Sequence, residues 1–203
     1  MSTVDRPQPR VLPPLEAGQR LDQPTFHERY AAMPDMTRAE LVGGVVFMPS
    51  PLRDMHGETD RMIGGWLFLY QTATPGLRSP SNATTILSTD VEVQPDAQLR
   101  IPEELGGQAR LVDGYVNGPP ELVVEIGRSS RSSDLGPKKD EYEKAGVLEY
   151  LFVGIEPDEI RWFALRDGVF QEMAAVEDGI YRSEVFPASG STPRRCSRKT
   201  GTA

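Results

Sequence analysis

Two carboxylates offer the chemistry in this chain. Asp96 follows a proline in Val-Gln-Pro-Asp, and Glu125 interrupts the apolar run Glu121 to Ile126. Leu122, Val123, Val124 and Ile126 read as a strand buried on both faces. A carboxylate inside such a strand is costly to desolvate unless it is paired, protonated or bound to a metal. A second carboxylate at the end of a neighbouring strand suggests that the two share a cation. A hard dication such as Mg²⁺ prefers oxygen ligands, commonly one or two carboxylates plus waters. Beside a phosphodiester it neutralises charge and makes bound water a better nucleophile. Lys138 lies in the helix that follows the Glu125 strand, and its stem can reach back over the strand end to orient water or steady developing negative charge. Tyr142 shares its helical face four residues on. The bland alternatives stand beside these roles: Asp96 as a turn residue, and Glu125 as an edge carboxylate paired with Arg128 or Arg131.

These side chains need a scaffold, and the pattern supplies one. A short helix is expected from a Thr25 cap to Ala32. A hairpin follows from Glu40 to Met48, turning on Gly43-Gly44. A helix runs from about Met55 to Gln71, with Ile63, Trp66, Leu67 and Tyr70 on one face. Gly64 and Gly65 weaken that helix by about 1 kcal/mol each relative to alanine. Strands are expected near Thr84 to Leu87, Asp90 to Val93 and Leu122 to Ile126, with a long Gly- and Pro-rich loop over 101–120. Ser132, Ser133 and Asp134 offer caps for a helix that tolerates Pro137 in its first turn, runs to about Ala145 and stops at Gly146. Leu148 to Val153 is a further strand, and Asp167-Gly168 turns a last hairpin. The order predicts an α/β (α+β) fold with a central mixed sheet flanked by helices. It lies between a Pro-rich leader over 1–24, read as flexible, and a basic tail over 187–203, read as disordered.

The chain has 203 residues, net charge −8, one cysteine and two histidines. Its acidity argues against a protein that coats nucleic acid generally, but not against a nuclease with a local basic patch. So few Cys and His residues argue against a zinc hydrolase. Cys196 has no internal partner, no apolar stretch nears the length of a membrane span, and the N-terminus lacks a secretion signal, so a cytoplasmic protein is expected. Arg128, Arg131, Lys138, Lys139 and Lys144 form the densest basic region inside the fold and are candidates for phosphate contacts.

The stretches V-Q-P-D-A-Q-L-R, P-P-E-L-V-V-E-I, S-S-D-L-G-P-K-K-D-E-Y and A-G-V-L-E-Y resemble the bacterial Uma family of endonucleases. So do A-E-L-V-G-G-V-V and the S-P-x-x-x-x-H stretch ending at His56. That family lies in the PD-(D/E)XK nuclease superfamily, with the restriction-endonuclease-like fold. The resemblance implies Asp96 and Glu125 as metal ligands, the backbone carbonyl of Ile126 as a further one, and Glu40 as an acid completing the cluster. It places His56 and Gln94 near the site without assigning them roles. The superfamily's lysine two residues after the glutamate is replaced here by Gly127, and the family's helical lysine maps to Lys138. Lys139 stands where the family more often has an apolar residue, and the chain departs from the family after Val185 to Pro187. The implied activity is a Mg²⁺- or Mn²⁺-dependent endonuclease acting on nucleic acid, DNA before RNA, with homodimerisation left open. The alternative is a nucleic-acid-binding or regulatory module that keeps the fold but little activity.

Overall fold

A computed structural model describes residues 12–34, 38–49, 54–127, 130–176 and 179–187. Two mixed sheets meet across one of three apolar clusters. The first has the strand order β2-β1-β4-β3-β7-β6, built from β1 (Glu40–Val42), β2 (Val45–Phe47), β3 (Thr85–Ser88), β4 (Val91–Val93), β6 (Arg110–Val112) and β7 (Tyr115–Asn117). The second has the order β11-β10-β9-β8-β5, from β5 (Ala97–Leu99), β8 (Leu122–Gly127), β9 (Glu149–Ile155), β10 (Asp158–Arg166) and β11 (Val169–Glu172). Each sheet carries one parallel pair, β3 with β7 and β8 with β9. The expectation of a mixed α/β fold flanked by helices therefore holds, with two sheets in place of one central sheet.

Strand β8 is buried along its whole length, as its unbroken apolar run requires. Residues alternate across it. Leu122 and Val124 pack toward α2 (Asp54–Ala73) with Leu67, Ala97, Leu99 and Trp162. Val123 faces the other way, into a cluster that joins Val42, Val91 and Val93 of the first sheet to Tyr142 of the following helix and to Tyr150 and Phe152 of β9. Helix α1 (Gln23–Ala31) closes a smaller cluster of Leu15, Phe26, Ala39, Leu41 and Val46. The chain crosses from the first sheet to the second through Gln94-Pro95-Asp96, between β4 and β5.

Several details differ from expectation. Helix α1 is capped by Asp22, whose carboxylate accepts the Thr25 N–H at 3.0 Å, rather than by Thr25. The described part of the Pro-rich leader is packed: Leu15 is buried, and Gly18 and Leu21 donate to Val46 and Gly44 carbonyls. The long loop over 101–120 contains the β6–β7 hairpin, turning on Asp113 and Gly114 with φ of 51° and 87°. An Asp-Gly pair between short apolar runs is a hairpin signal, and here it was outweighed by the surrounding Gly and Pro. The expected helix to Ala145 is broken into α3 (Arg131–Ser133), a wide π-type turn over Asp134–Lys138 kinked at Gly136, and α4 (Lys139–Ala145). The tail beyond Pro187 lies outside the described residues.

Candidate active site

The site forms where the two sheets meet. Antiparallel pairing sets Ala97 opposite Val124 and Leu99 opposite Leu122. One further step of that register brings Asp96 level with Glu125. Directly opposed residues of antiparallel strands point to the same face with Cβ atoms about 5 Å apart. Asp96 is buried, and its Oδ2 accepts the Ile126 N–H at 2.8 Å. Glu125 is buried, and its Oε1 accepts from the Tyr142 hydroxyl at 2.7 Å and lies 2.8 Å from Lys138 Nζ.

The kinked turn delivers Lys138 into this cluster. Its ammonium donates to both oxygens of Glu40 at 3.1 Å and stands 4.0 Å from Asp134 Oδ1. Glu40 in turn accepts the Gln94 N–H at 2.8 Å. The Gln94 side chain does not face the carboxylates; it donates to Tyr30 and Thr84 hydroxyls at 2.8 and 3.1 Å. Lys138 thus ties β1 of the first sheet to β8 of the second. His56, in the first turn of α2, places Nε2 2.9 Å from the Ile126 carbonyl oxygen and 3.7 Å from Asp96 Oδ2.

Gly127 explains why the lysine comes from the helix. A Cβ at that position would sit 2.5 Å from the Phe152 ring and 2.9 Å from Asp134 Oδ2. No side chain fits there, and the space is filled from the wide turn. Asp134 is the member of the cluster that the sequence marks only as a helix cap. Its signal was the four-residue spacing to Lys138, which stacks the two on one helical face.

The electrostatics are those of an acid cluster out of water. Burial pushes the Glu125 carboxyl well above the usual range; Lys138 opposes this, while Asp134, Asp96 and Glu40 add to it. Burial also raises Asp96, against the Ile126 N–H and the nearby His56 and Lys138. Asp134 is pushed up to about 6 by burial, with Lys138 opposing. For Lys138, burial disfavours the ammonium, but Glu125, Glu40 and Asp134 outweigh it and hold the pKa above the ordinary lysine value. Tyr142 is raised by burial and by Glu125, so it stays a hydrogen-bond donor.

The donor set suits a hard dication: two carboxylates, a backbone carbonyl and a net excess of negative charge. Three carboxylates, Glu40, Glu125 and Asp134, gather around the ammonium of Lys138, and Asp96 lies near enough to feel its charge. Among the described residues, however, no three His, Cys, Asp or Glu side chains are arranged around one ion position. The fit is therefore to a site of two carboxylates and water, not to an all-protein cage. The remaining basic candidates lie elsewhere. Arg131 pairs with Glu159 through Nε at 2.5 Å and a second nitrogen at 3.3 Å. Lys139 lies over the Phe163 and Phe170 rings, 5.1 and 5.7 Å from their centroids. Arg128 falls outside the described residues.

A family model, Uma2, described as putative restriction endonuclease, matches residues 24–192. Among solved structures, a crystal structure of a putative nuclease belonging to DUF820 from Anabaena variabilis ATCC 29413 superposes with a TM-score of 0.61. It is 12% identical, and the match covers 82% of this chain and 93% of that one. At that identity the likeness speaks for the fold. No curated protein matches.

Proposed function

The chain belongs to the Uma2 family of restriction-endonuclease type, and from that premise we propose that it is a Mg²⁺- or Mn²⁺-dependent endonuclease that hydrolyses phosphodiester bonds in DNA. The reading is supported by Lys138, from the kinked helix, standing 2.8 Å from Glu125 of β8, while Asp96, from the β4–β5 connection, accepts the N–H of the next residue of that strand, Ile126. Asp96, Glu125 and the Ile126 carbonyl would hold the ion. When bound, the ion offsets phosphate charge and lowers the pKa of water.

The chain's own groups do the rest. Glu40, with a bond from the ammonium to each of its oxygens, fixes the ammonium of Lys138, which then stabilises charge building on the phosphate oxygens or orients the attacking water. The Tyr142 hydroxyl holds the Glu125 carboxylate in one orientation. The Ile126 N–H does the same for Asp96. His56, seated on the Ile126 carbonyl, keeps the end of β8 in place beside them. Nothing in the described helices is long and apolar enough to cross a membrane. Neither Arg131 nor Lys139 is a spare cation, so a phosphate contact by either must compete with Glu159 or with the two rings.

Plasmid nicking with Mg²⁺ or Mn²⁺ tests the proposal. Asp96→Ala, Glu125→Ala and Lys138→Met are each expected to lower the cutting rate by about 10²-fold or more, with circular dichroism reporting that the fold is kept. Cutting that survives Asp96→Ala and Glu125→Ala together would remove the mechanism.

A second reading has its own support: Lys138 already pairs with Glu40 and Glu125, and His56 already engages the Ile126 carbonyl. On that reading the internal partners replace the metal, and the domain binds nucleic acid without cutting it. Calorimetric titration separates the two, since only the enzyme takes up Mg²⁺ or Mn²⁺ with a heat that Asp96→Ala abolishes.

A further inference from the structure

Helix α2 uses one face to cover the second sheet and leaves another in water. Leu67 is buried there, with Ile63 and Tyr70 packed beside it. On a neighbouring face, Met55, Met62 and Leu69 recur every seven residues and are 57%, 75% and 67% exposed. Trp66, 39% exposed and edge-on to Trp162, borders the stripe, and Phe68, 59% exposed, lies about a third of a turn away from it. Large side chains of this kind carry about 150–250 Å² each. Such fractions leave several hundred Å² of apolar surface on one helix, at or above the patch of about 300–600 Å² that monomers usually keep. A stable dimer buries about 800 Å² per partner, which this stripe and its polar flanks approach.

The same face carries a notch. Gly65 lies mid-helix, where glycine weakens a helix relative to alanine. Nothing inside the chain demands it, since a Cβ there would meet no atom within 4 Å. Gly65 sits three residues from Met62, so both lie on the exposed stripe. If two copies of α2 pack antiparallel about a two-fold axis through the helix midpoint, Met62 of each falls opposite Gly65 of the other, and Met55 opposite Thr72. A protruding side chain and a notch on one self-facing surface make it complementary to itself, which is what a two-fold interface requires.

We infer that a second copy of this chain docks on the Met55–Met62–Leu69 face of α2, forming an antiparallel helix pair with Met62 seated over the partner's glycine notch. This does not depend on the nuclease reading, and no residue of the interface belongs to the catalytic cluster. The test is sedimentation velocity across a dilution series of the full chain. The wild type is expected at twice the chain mass, dissociating on dilution. Met62→Lys and Gly65→Gln are each expected to weaken the dimer by about 100-fold or more, while far-UV circular dichroism stays that of the wild type. Val169→Lys, at an exposed position on β11, should leave the dimer intact. A wild type that is monomeric throughout overturns the inference. So does a dimer that survives both substitutions. A monomer whose binding of single-stranded DNA is lost in Met62→Lys also overturns it, and would assign this face to nucleic acid.

Discussion

At the scale of single residues, the cluster behaves as a charge balance centred on the Lys138 ammonium. Asp134 gives the clearest pH signature. Its ordinary value is 3.8, and the folded chain holds it at about 6 through burial, with Lys138 opposing. The native state therefore keeps a proton that the unfolded chain has already released. Stability from this group is fully present below the unfolded value and is lost as pH rises through the folded one. A rise of that size in a carboxyl pKa corresponds to about 3 kcal/mol. Asp134→Asn removes the titration, so the variant is expected to gain up to about 3 kcal/mol over the wild type at neutral pH and nothing in acid. Urea midpoints measured across that range check it. A constant offset at every pH would remove Asp134 as the source.

At the scale of elements, β8 and the turn after it form one unit. Gly127 lets Phe152 and Asp134 close over the strand end. Phe152 is fully buried and has no room to retreat. Gly127→Ala is expected to cost about 1–3 kcal/mol in chemical denaturation, and Phe152→Leu in the same chain should recover part of it. An unchanged midpoint for the single variant would show that the ring yields. This unit also marks how far the sequence could be read. The strand around Glu125 was legible because a continuous apolar run with one acid has few physical explanations. The pairing with Asp96 was legible through its place after Pro95 and through the resemblance. The kink was not: Ser132, Ser133, Asp134 and Pro137 all suit an ordinary helix start. Only the packed β8 end shows why the turn widens to bring Asp134 and Lys138 inward together. The β6–β7 hairpin is hidden for a different reason: the Gly and Pro around Asp113-Gly114 give the segment the composition of a loop. Arg131 and Lys139 looked like free cations for want of Glu159, Phe163 and Phe170, which are distant in sequence or across a turn.

At the scale of the whole molecule, the last described segment is fastened by one buried acid. Glu149 Oε1 accepts from Ser183, Glu184 and Val185 at 3.0, 2.6 and 3.1 Å, and its Oε2 accepts the Trp162 indole N–H at 3.1 Å. Val185 and Phe186 are buried in the cluster that also holds Leu67 and Trp162, and the Pro187 carbonyl accepts from Tyr70 at 2.7 Å. The family match runs on to residue 192, past this anchor. Glu149→Gln keeps the shape but replaces a charged acceptor of two backbone N–H groups with a neutral one, at about 1–3 kcal/mol. Limited proteolysis should then cut near Ser183 at least several-fold faster. Equal rates would mean that Val185 and Phe186 hold the segment by packing alone.

The catalytic candidates do not belong to either sheet alone. Glu40 rides on one, Glu125 on the other, Asp96 on the first of the three crossings of the backbone between them, and Lys138 is the rivet through both. A machine assembled across a seam is only as durable as the seam. Warmth or denaturant that parts the two halves by a fraction of an ångström scatters these groups while every strand remains paired, so competence would fade well before the architecture does.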